Sequence, residues 1–347
     1  MVTILGAGSW GSALGVLLAS GRHRVRMWDA DRDVLRDIRA NRRNSRYLRE
    51  IELPESMDTA DELPEALWDA AVVVVAIPAA GVADACARAG PHVPPGVTAI
   101  SAAKGLCPTS GRRMSQVLSE CAGIAPERVV ALSGPNLALE VCAGIPTATV
   151  VSGPSRERMD EALRYFSGPR FRVYTNPDTV GVELGGAVKN VIAIGAGIND
   201  GLGFGDNTKA TVLTRGLAEM TRLGTSLGAR PETFRGLSGL GDLIATSVSP
   251  KSRNYRVGFG LGRGRSLPDV LAELGQVAEG VPTARAVLQV AAEQGVDVPI
   301  CQAVHDVLFA GLDPREAVAG LMGRQPKDEI EECAVSLVNT RFARSGD

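Results

Sequence analysis

Val2-Thr3-Ile4-Leu5-Gly6-Ala7-Gly8-Ser9-Trp10-Gly11 opens the chain, and the small and apolar run Ser12 to Ala19 follows it. Four strand-forming residues lead into G-x-G-x-x-G, and the spacing beyond predicts a helix. A second strand, Val25 to Trp28, ends at Asp29, 21 residues after Gly8. Strand, glycine turn, helix, strand and acid come in the order a dinucleotide site requires. Gly6 allows the tight turn, Gly8 lets a pyrophosphate approach the backbone, and Gly11 lets the helix pack on the strand. The helix N-terminus offers its unpaired N–H groups to the phosphates, and Asp29 is the candidate partner of a ribose hydroxyl.

Further strands follow. Ala71 to Ile77 is a continuous apolar run, as expected of a parallel strand buried on both faces. Val97 to Ser101, Val129 to Leu132 and Ala148 to Val151 read likewise, each ending in small or polar residues: Ala102-Ala103-Lys104-Gly105, Ser133-Gly134-Pro135-Asn136 and Ser152-Gly153. Ligands of open α/β sheets bind beyond the carboxyl ends of the strands, so one sheet edge is tailored to a ligand. After Asn176-Pro177-Asp178 strand signals nearly vanish. Helical spacing is read over Val180 to Gly201, Leu213 to Leu227, Leu267 to Leu274, Thr283 to Gln294, Ile300 to Phe309 and Pro314 to Leu321. The expected fold is an α/β N-terminal domain of Rossmann type with a mostly parallel sheet, residues 1–179, and an all-α C-terminal domain, residues 180–347. A length of 347 residues suits two domains.

Composition excludes several classes. With 37 basic and 39 acidic residues the net charge is −2, which argues against a broad nucleic-acid or membrane-surface footprint. Aromatics at 4% leave little for base stacking. Ala70 to Ile77, the longest unbroken apolar stretch, is far too short to span a bilayer, and Met1 leads straight into a strand without a signal peptide. Six cysteines without a C-x-x-C pair, and three histidines away from zinc spacing, predict free thiols, no metal and a cytoplasmic setting. G-x-x-x-x-G-K-[ST], G-x-S-x-G and H-E-x-x-H are all missing, so NTPase and hydrolase readings lack support.

Only five of the 37 basic residues are lysines: Lys104, Lys189, Lys209, Lys251 and Lys327. An amine can lose its proton at accessible pH and a guanidinium cannot, so these positions invite inspection. Lys189 sits in Gly185-Gly186-Ala187-Val188-Lys189-Asn190-Val191-Ile192, apolar on nearly every helical face. It is either a snorkelling or paired structural lysine, or a general acid/base made neutral by desolvation. Ser252-Arg253-Asn254 suits a phosphate dianion or is a plain surface loop. Asp242 could hold a lysine or cap the helix after it, and Glu279 could reach a cofactor hydroxyl or cap its own. Asp206 or Asn207 reads as an N-cap. Residues 22–49 carry ten arginines against four aspartates, either a solvated face or a contact to an adenosine phosphate.

Taken together the motifs resemble the NAD(P)-dependent glycerol-3-phosphate dehydrogenases of bacterial type, from Ile4 to about Arg324. The resemblance rests on Ile4 to Gly11, Gly185 to Asn199, Gly203 to Leu223, and Gly239 to Leu243 with Ser252-Arg253-Asn254. It implies reversible reduction of dihydroxyacetone phosphate to sn-glycerol 3-phosphate for glycerophospholipid synthesis. Lys189 would be the proton acceptor of the oxidation, and Lys104 would contact both substrate and cofactor. Gly134, Asn136, Asp242, Ser252, Arg253 and Asn254 would bind substrate, with Thr246 close by. Ser9, Trp10, Ala138, Arg253, Val277 and Glu279 would complete the cofactor site. Two departures stand out: Asn136 replaces the usual Ser or Thr, and Ala30, beside Asp29 and Asp31, replaces a usual Arg or His. An acid pairs with a free ribose hydroxyl and repels a 2′-phosphate, so the resemblance tilts towards NADH, with Arg32 and its neighbours favouring NADPH. The expected partner is a small phosphorylated substrate, with no nucleic acid, no membrane insertion and a homodimer as the oligomer. The alternatives are another two-domain 3-hydroxyacid or ketopantoate-type dehydrogenase, and a dinucleotide sensor without turnover.

Overall fold

The computed structural model describes residues 1–326, 328 and 329. Lys327, Cys333 and the end of the expected second domain lie outside them. In chain order the N-terminal half runs β1 (Val2–Leu5), α1 (Ser9–Ser20), β2 (Val25–Trp28), α2 (Arg32–Asn41), β3 (Arg43–Asn44), β4 (Leu48–Glu52), β5 (Met57–Thr59), α3 (Leu63–Leu67), β6 (Val72–Val75), α4 (Ala79–Ala89), β7 (Thr98–Ser101), α5 (Met114–Ala122), β8 (Val129–Ser133), α6 (Ala138–Cys142), β9 (Thr147–Ser152), α7 (Arg156–Phe166) and β10 (Phe171–Asn176). The rest is helical: α8 (Thr179–Gly201), α9 (Asp206–Ser226), α10 (Asp242–Val248), α11 (Arg253–Gly262), α12 (Leu267–Leu274), α13 (Gly280–Gln294), α14 (Pro299–Phe309) and α15 (Pro314–Met322).

Eight strands form one sheet in the order β10-β9-β8-β7-β6-β1-β2-β5. Every neighbouring pair is parallel except β8–β9, which is antiparallel. Val72–Val75 is buried throughout, because helices cover both faces of a parallel sheet. Ile4, Val72 and Val74 face one apolar core while Leu5, Val73 and Val75 face the other, the alternation a strand imposes. The ends of β1, β2, β6 and β7 are in register (Leu5 beside Trp28 and Val75, Val75 beside Ser101). That register brings the glycine turn, Asp29, Pro78 and Lys104 to one edge.

Short strands escaped the sequence reading. Arg43–Asn44 and Leu48–Glu52 make a separate antiparallel hairpin, and Met57–Thr59 is an edge strand. They are too short and polar to carry a period-2 signal. β10 does alternate, with Phe171 and Val173 inward and Arg172 and Tyr174 outward, so its signal was present and overlooked.

α8 is the axis of the helical half. It has the length and apolar composition of a membrane span, yet the window that qualifies is 94% buried inside the protein. Its N-terminus is tied down by Asp178, which accepts from Gly181 N (2.9 Å), Arg230 N (2.8 Å) and Thr233 Oγ1 (2.7 Å). One turn on, the buried Glu183 accepts from Arg113 (2.6 Å) and from Ser115 N (2.7 Å) and Oγ (2.6 Å), locking α8 to the start of α5. α11 crosses α8 backbone to backbone. A methyl at Gly258 would lie 1.9 Å from the Ile194 carbonyl oxygen, and one at Gly197 would lie 2.1 Å from that of Tyr255. Only glycine permits that approach.

Two boundaries differ from expectation. α9 begins at Asp206, seven residues before the apolar periodicity does, because its first two turns are largely polar and part-exposed. Its N-cap is Gly205, with no side-chain cap, rather than Asp206 or Asn207. Ser252-Arg253-Asn254, for which a surface loop was one reading, is the start of α11.

Candidate active site

A cleft of about 710 Å³ runs along the sheet edge and under the helical half, lined from Gly6, Gly8, Ser9 and Trp10 through Lys104 and Lys189 to Arg253 and Glu279. Its floor is the glycine turn. Gly6 has φ +109°, and a methyl there would sit 2.7 Å from the Ala76 carbonyl oxygen. A methyl on Gly11 would sit 1.9 Å from the Gly6 oxygen, whereas one on Gly8 would project into open space. α1 starts without a side-chain cap or an acid in its first turn, so its first N–H groups stay available to an anion. Asp29 holds the turn: Oδ2 accepts from Ala7 N (2.6 Å) and Oδ1 from Asp31 N (2.9 Å). Asn44, from the β3–β4 hairpin, donates to Ala7 O (2.7 Å) and Ser12 Oγ (2.9 Å).

At the centre one carboxylate serves two amines. Asp242 begins α10 and is 2% exposed; its Oδ1 lies 2.9 Å from Lys189 Nζ and its Oδ2 2.8 Å from Lys104 Nζ. Lys104, on the loop after β7, also donates to the Gly134 carbonyl (2.7 Å). Lys189 also donates to Thr246 Oγ1 (2.6 Å), which bonds Asp242 at 3.0 Å. Burial lowers the Lys189 amine to about 8: Asp242 opposes that shift while Lys104 and Arg253 reinforce it. For Asp242 burial works upward, but the two lysines overcome it and hold the carboxyl below its usual value. The result is an ionised acid facing an amine that exchanges its proton near physiological pH.

The far end is built for an anion. Ser252 caps α11 by accepting from Tyr255 N (3.3 Å), and Arg253 follows in the first turn. Arg253 makes no hydrogen bond or ion pair with the described residues. Burial lowers its pKa, while Glu279 and Tyr47 act the other way. The Asn254 amide is spent inside the protein: Nδ2 donates to Asn190 Oδ1 (2.7 Å) and Oδ1 accepts from Gly280 N (2.9 Å). Asn190 in turn donates to the Lys104 carbonyl (3.0 Å). Asn254 therefore braces α8, α11 and α13, while the Arg253 guanidinium and the first N–H groups of α11 stay available to an anion.

Glu279 sits where the halves meet, accepting from Ala79 N (3.1 Å) through Oε1. Its Oε2, the neighbouring Thr283 Oγ1 and the Trp10 indole nitrogen are buried without a partner among the described residues. Burial raises the Glu279 carboxyl to about 7, against the opposing pull of Ala79 N and Arg253. Unsatisfied buried polar atoms around a glycine-floored cleft of this size fit a dinucleotide.

Residues 1–159 match the family model of the NAD-dependent glycerol-3-phosphate dehydrogenase N-terminus, and residues 178–319 match that of its C-terminus. The chain belongs to the NAD-dependent glycerol-3-phosphate dehydrogenase family. Two curated relatives named glycerol-3-phosphate dehydrogenase [NAD(P)+] are close in sequence. The one from Geobacillus kaustophilus is 46% identical over 332 residues (95% of this chain, 96% of the relative), and that from Pelotomaculum thermopropionicum 47% identical over 336 residues (96% of each). The crystal structure of glycerol-3-phosphate dehydrogenase from Coxiella burnetii superposes with a TM-score of 0.90 at 36% identity, covering 93% of this chain and 98% of that one. The chain is therefore an oxidoreductase using NAD(P)H, and the ketopantoate-type and non-catalytic readings fall away.

The candidate cofactor, substrate and catalytic residues line or adjoin this one cleft, whereas Lys209 is paired with Asp200 away from it; the side chains in the cleft do different things. Ser9 donates to Gln276 (3.3 Å) across the two halves, and Val277 and Ala138 form the rim. Asn136 lines the cleft, with its amide held by β9. Its Nδ2 donates to Ala148 O (3.0 Å) and its Oδ1 accepts from Thr149 (2.9 Å), so the amide turns towards β9. Sequence reasoning overlooked Asn190, Asn44, Tyr47 and Gln276. Asn190 directly follows Lys189 and was the one with a signal; the hairpin residues had none. Within the arginine-rich segment Arg46 pairs with Asp31 and Arg36 with Asp33, while Arg26, Arg32 and Arg39 reach Asp69, Glu62 and Asp61 beyond it.

Proposed function

We propose that the chain interconverts dihydroxyacetone phosphate and sn-glycerol 3-phosphate, with Lys189 donating the proton to the ketone oxygen and recovering it in reverse. The nicotinamide, when bound, supplies the hydride. The observation that carries this reading is the array Lys104–Asp242–Lys189, buried midway between a glycine turn and the unpartnered Arg253 guanidinium. Arg253 and the N-terminus of α11 hold the phosphate, so binding energy remote from the carbonyl orients it. Asp242 keeps Lys189 aimed, and Lys104 adds positive charge where negative charge develops on oxygen. Ser252 and Asn254 shape the anion site by capping and bracing rather than by direct side-chain grip. Gly6, Gly8, Gly11, Ser9, Trp10, Asp29, Ala138, Val277 and Glu279 receive the dinucleotide. A cytoplasmic homodimer supplying glycerophospholipid synthesis belongs to the same proposal.

The test is dihydroxyacetone phosphate-dependent loss of reduced-nicotinamide absorbance with NADH and with NADPH. Lys189→Ala folds and loses at least about two orders of magnitude in kcat, as expected on removing a general acid. Near-normal turnover in that variant removes Lys189 from the mechanism.

A further inference from the structure

Thr149 lies on β9, fully buried and outside the cleft lining. Its hydroxyl is 2.8 Å from the Ser133 carbonyl and 2.9 Å from Asn136 Oδ1. Asn136 Nδ2 reaches back to the carbonyl of Ala148, the residue before Thr149, at 3.0 Å. The residues on either side of Gly134-Pro135 are thus tied to β9. Gly134 has φ +145°, and a methyl on it would lie 3.1 Å from the Thr149 Cα, so the turn rests directly on the strand. The Gly134 carbonyl accepts from Lys104 Nζ (2.7 Å) and from Asn136 N (2.8 Å). This depends on the antiparallel β8–β9 pair, which sets Val150 opposite Ser133 and the start of β9 beneath the turn.

We propose that Thr149, together with the Asn136 amide, is a positioning residue for the reaction, holding the Gly134 carbonyl where it keeps Lys104 on Asp242. The inference rests on the reading of Lys189 as the proton donor and acceptor. The path is continuous: Thr149 to the Gly134 turn, the turn to Lys104, Lys104 to one oxygen of Asp242, and the other oxygen to Lys189. Valine has nearly the shape of threonine but no donor, so Thr149→Val removes the bonds to the Ser133 carbonyl and Asn136 Oδ1 and releases the turn without opening a large cavity. Lys104 then drifts from Asp242, and its repulsion of the Lys189 proton weakens. Lys189 keeps its proton to higher pH.

The experiment is kcat against pH for oxidation of sn-glycerol 3-phosphate by the full-length enzyme and by Thr149→Val, Thr149→Ser and Asn136→Ala. Thr149→Val moves the midpoint of the acidic limb up by at least about half a pH unit. It lowers kcat near neutral pH by roughly three- to tenfold, with a smaller change in KM. Thr149→Ser, which keeps the hydroxyl, follows the wild type. Asn136→Ala moves the limb the same way and carries the test if the valine variant fails to fold. An unmoved limb in a folded Thr149→Val or Asn136→Ala protein, or a loss confined to thermal stability, overturns the inference. A wild-type profile with no acidic limb overturns the reading of Lys189 instead, and the inference with it.

Discussion

Asp242 is buried and shared between two lysines, and the proposed chemistry turns on it. A buried carboxylate with one lysine would lock that lysine's proton in place. Burial depresses Lys189 to about 8 despite its salt bridge to Asp242, and Lys104 on the other carboxylate oxygen adds to that shift. The sign of the pH dependence follows. Oxidation needs the neutral amine, so kcat for sn-glycerol 3-phosphate rises with pH through about 8 and falls below it. Reduction needs the protonated amine and falls on the alkaline side of the same value. Rate profiles in the two directions check this, and a flat oxidation profile from pH 6 to 9 (roughly two units to the acid side and one to the basic) contradicts it. Lysine scarcity marked five positions, Lys104 and Lys189 among them, without revealing that these two share a carboxylate. Asp242 lies 53 residues from Lys189 and 138 from Lys104, and no local periodicity encodes a contact that distant.

Among elements, the crossing of α8 and α11 places the amine and the guanidinium. The glycines were visible in the sequence as small-residue-rich runs. Which glycine faces which helix was not, since periodicity reports a buried face and not its partner. Gly258→Ala forces a methyl against the Ile194 carbonyl, which has no side chain to yield. The expected outcome is a loss of about 1–3 kcal/mol in stability, with KM for dihydroxyacetone phosphate rising more than kcat falls, because α11 carries Arg253. Chemical denaturation and steady-state kinetics check both, and an unchanged KM would separate helix packing from phosphate binding. The long periodic helices and the buried parallel strands were legible for the opposite reason: each repeats one signal over many residues. The hairpin that brings Asn44 to the glycine turn has two residues on one side and five on the other, too few to announce themselves.

Across the whole molecule the cofactor end is acidic where it would meet a 2′-phosphate. Asp29 ends β2, Asp31 caps α2, and Arg32, Arg36 and Arg46 are drawn onto neighbouring acids. Arg88 lines the same region, stacked 5.5 Å over the Trp28 ring and 3.6 Å from Asp84. NADH accordingly raises the melting temperature more than NADPH at equal concentration. A ligand at 100 times its Kd adds about 2.7 kcal/mol, a shift on the order of several degrees. Thermal melts with each nucleotide decide the preference, and an equal or larger shift with NADPH reverses it. The contact of α8 with α11 has a last consequence. Main-chain atoms, not pliable side chains, set the separation of the two helices that carry Lys189 and Arg253, which the proposed mechanism would use as a fixed gauge. Under the proposed roles, a substrate one methylene longer than a three-carbon ester meets a helix crossing with no side chain to yield, and is expected to bind more weakly.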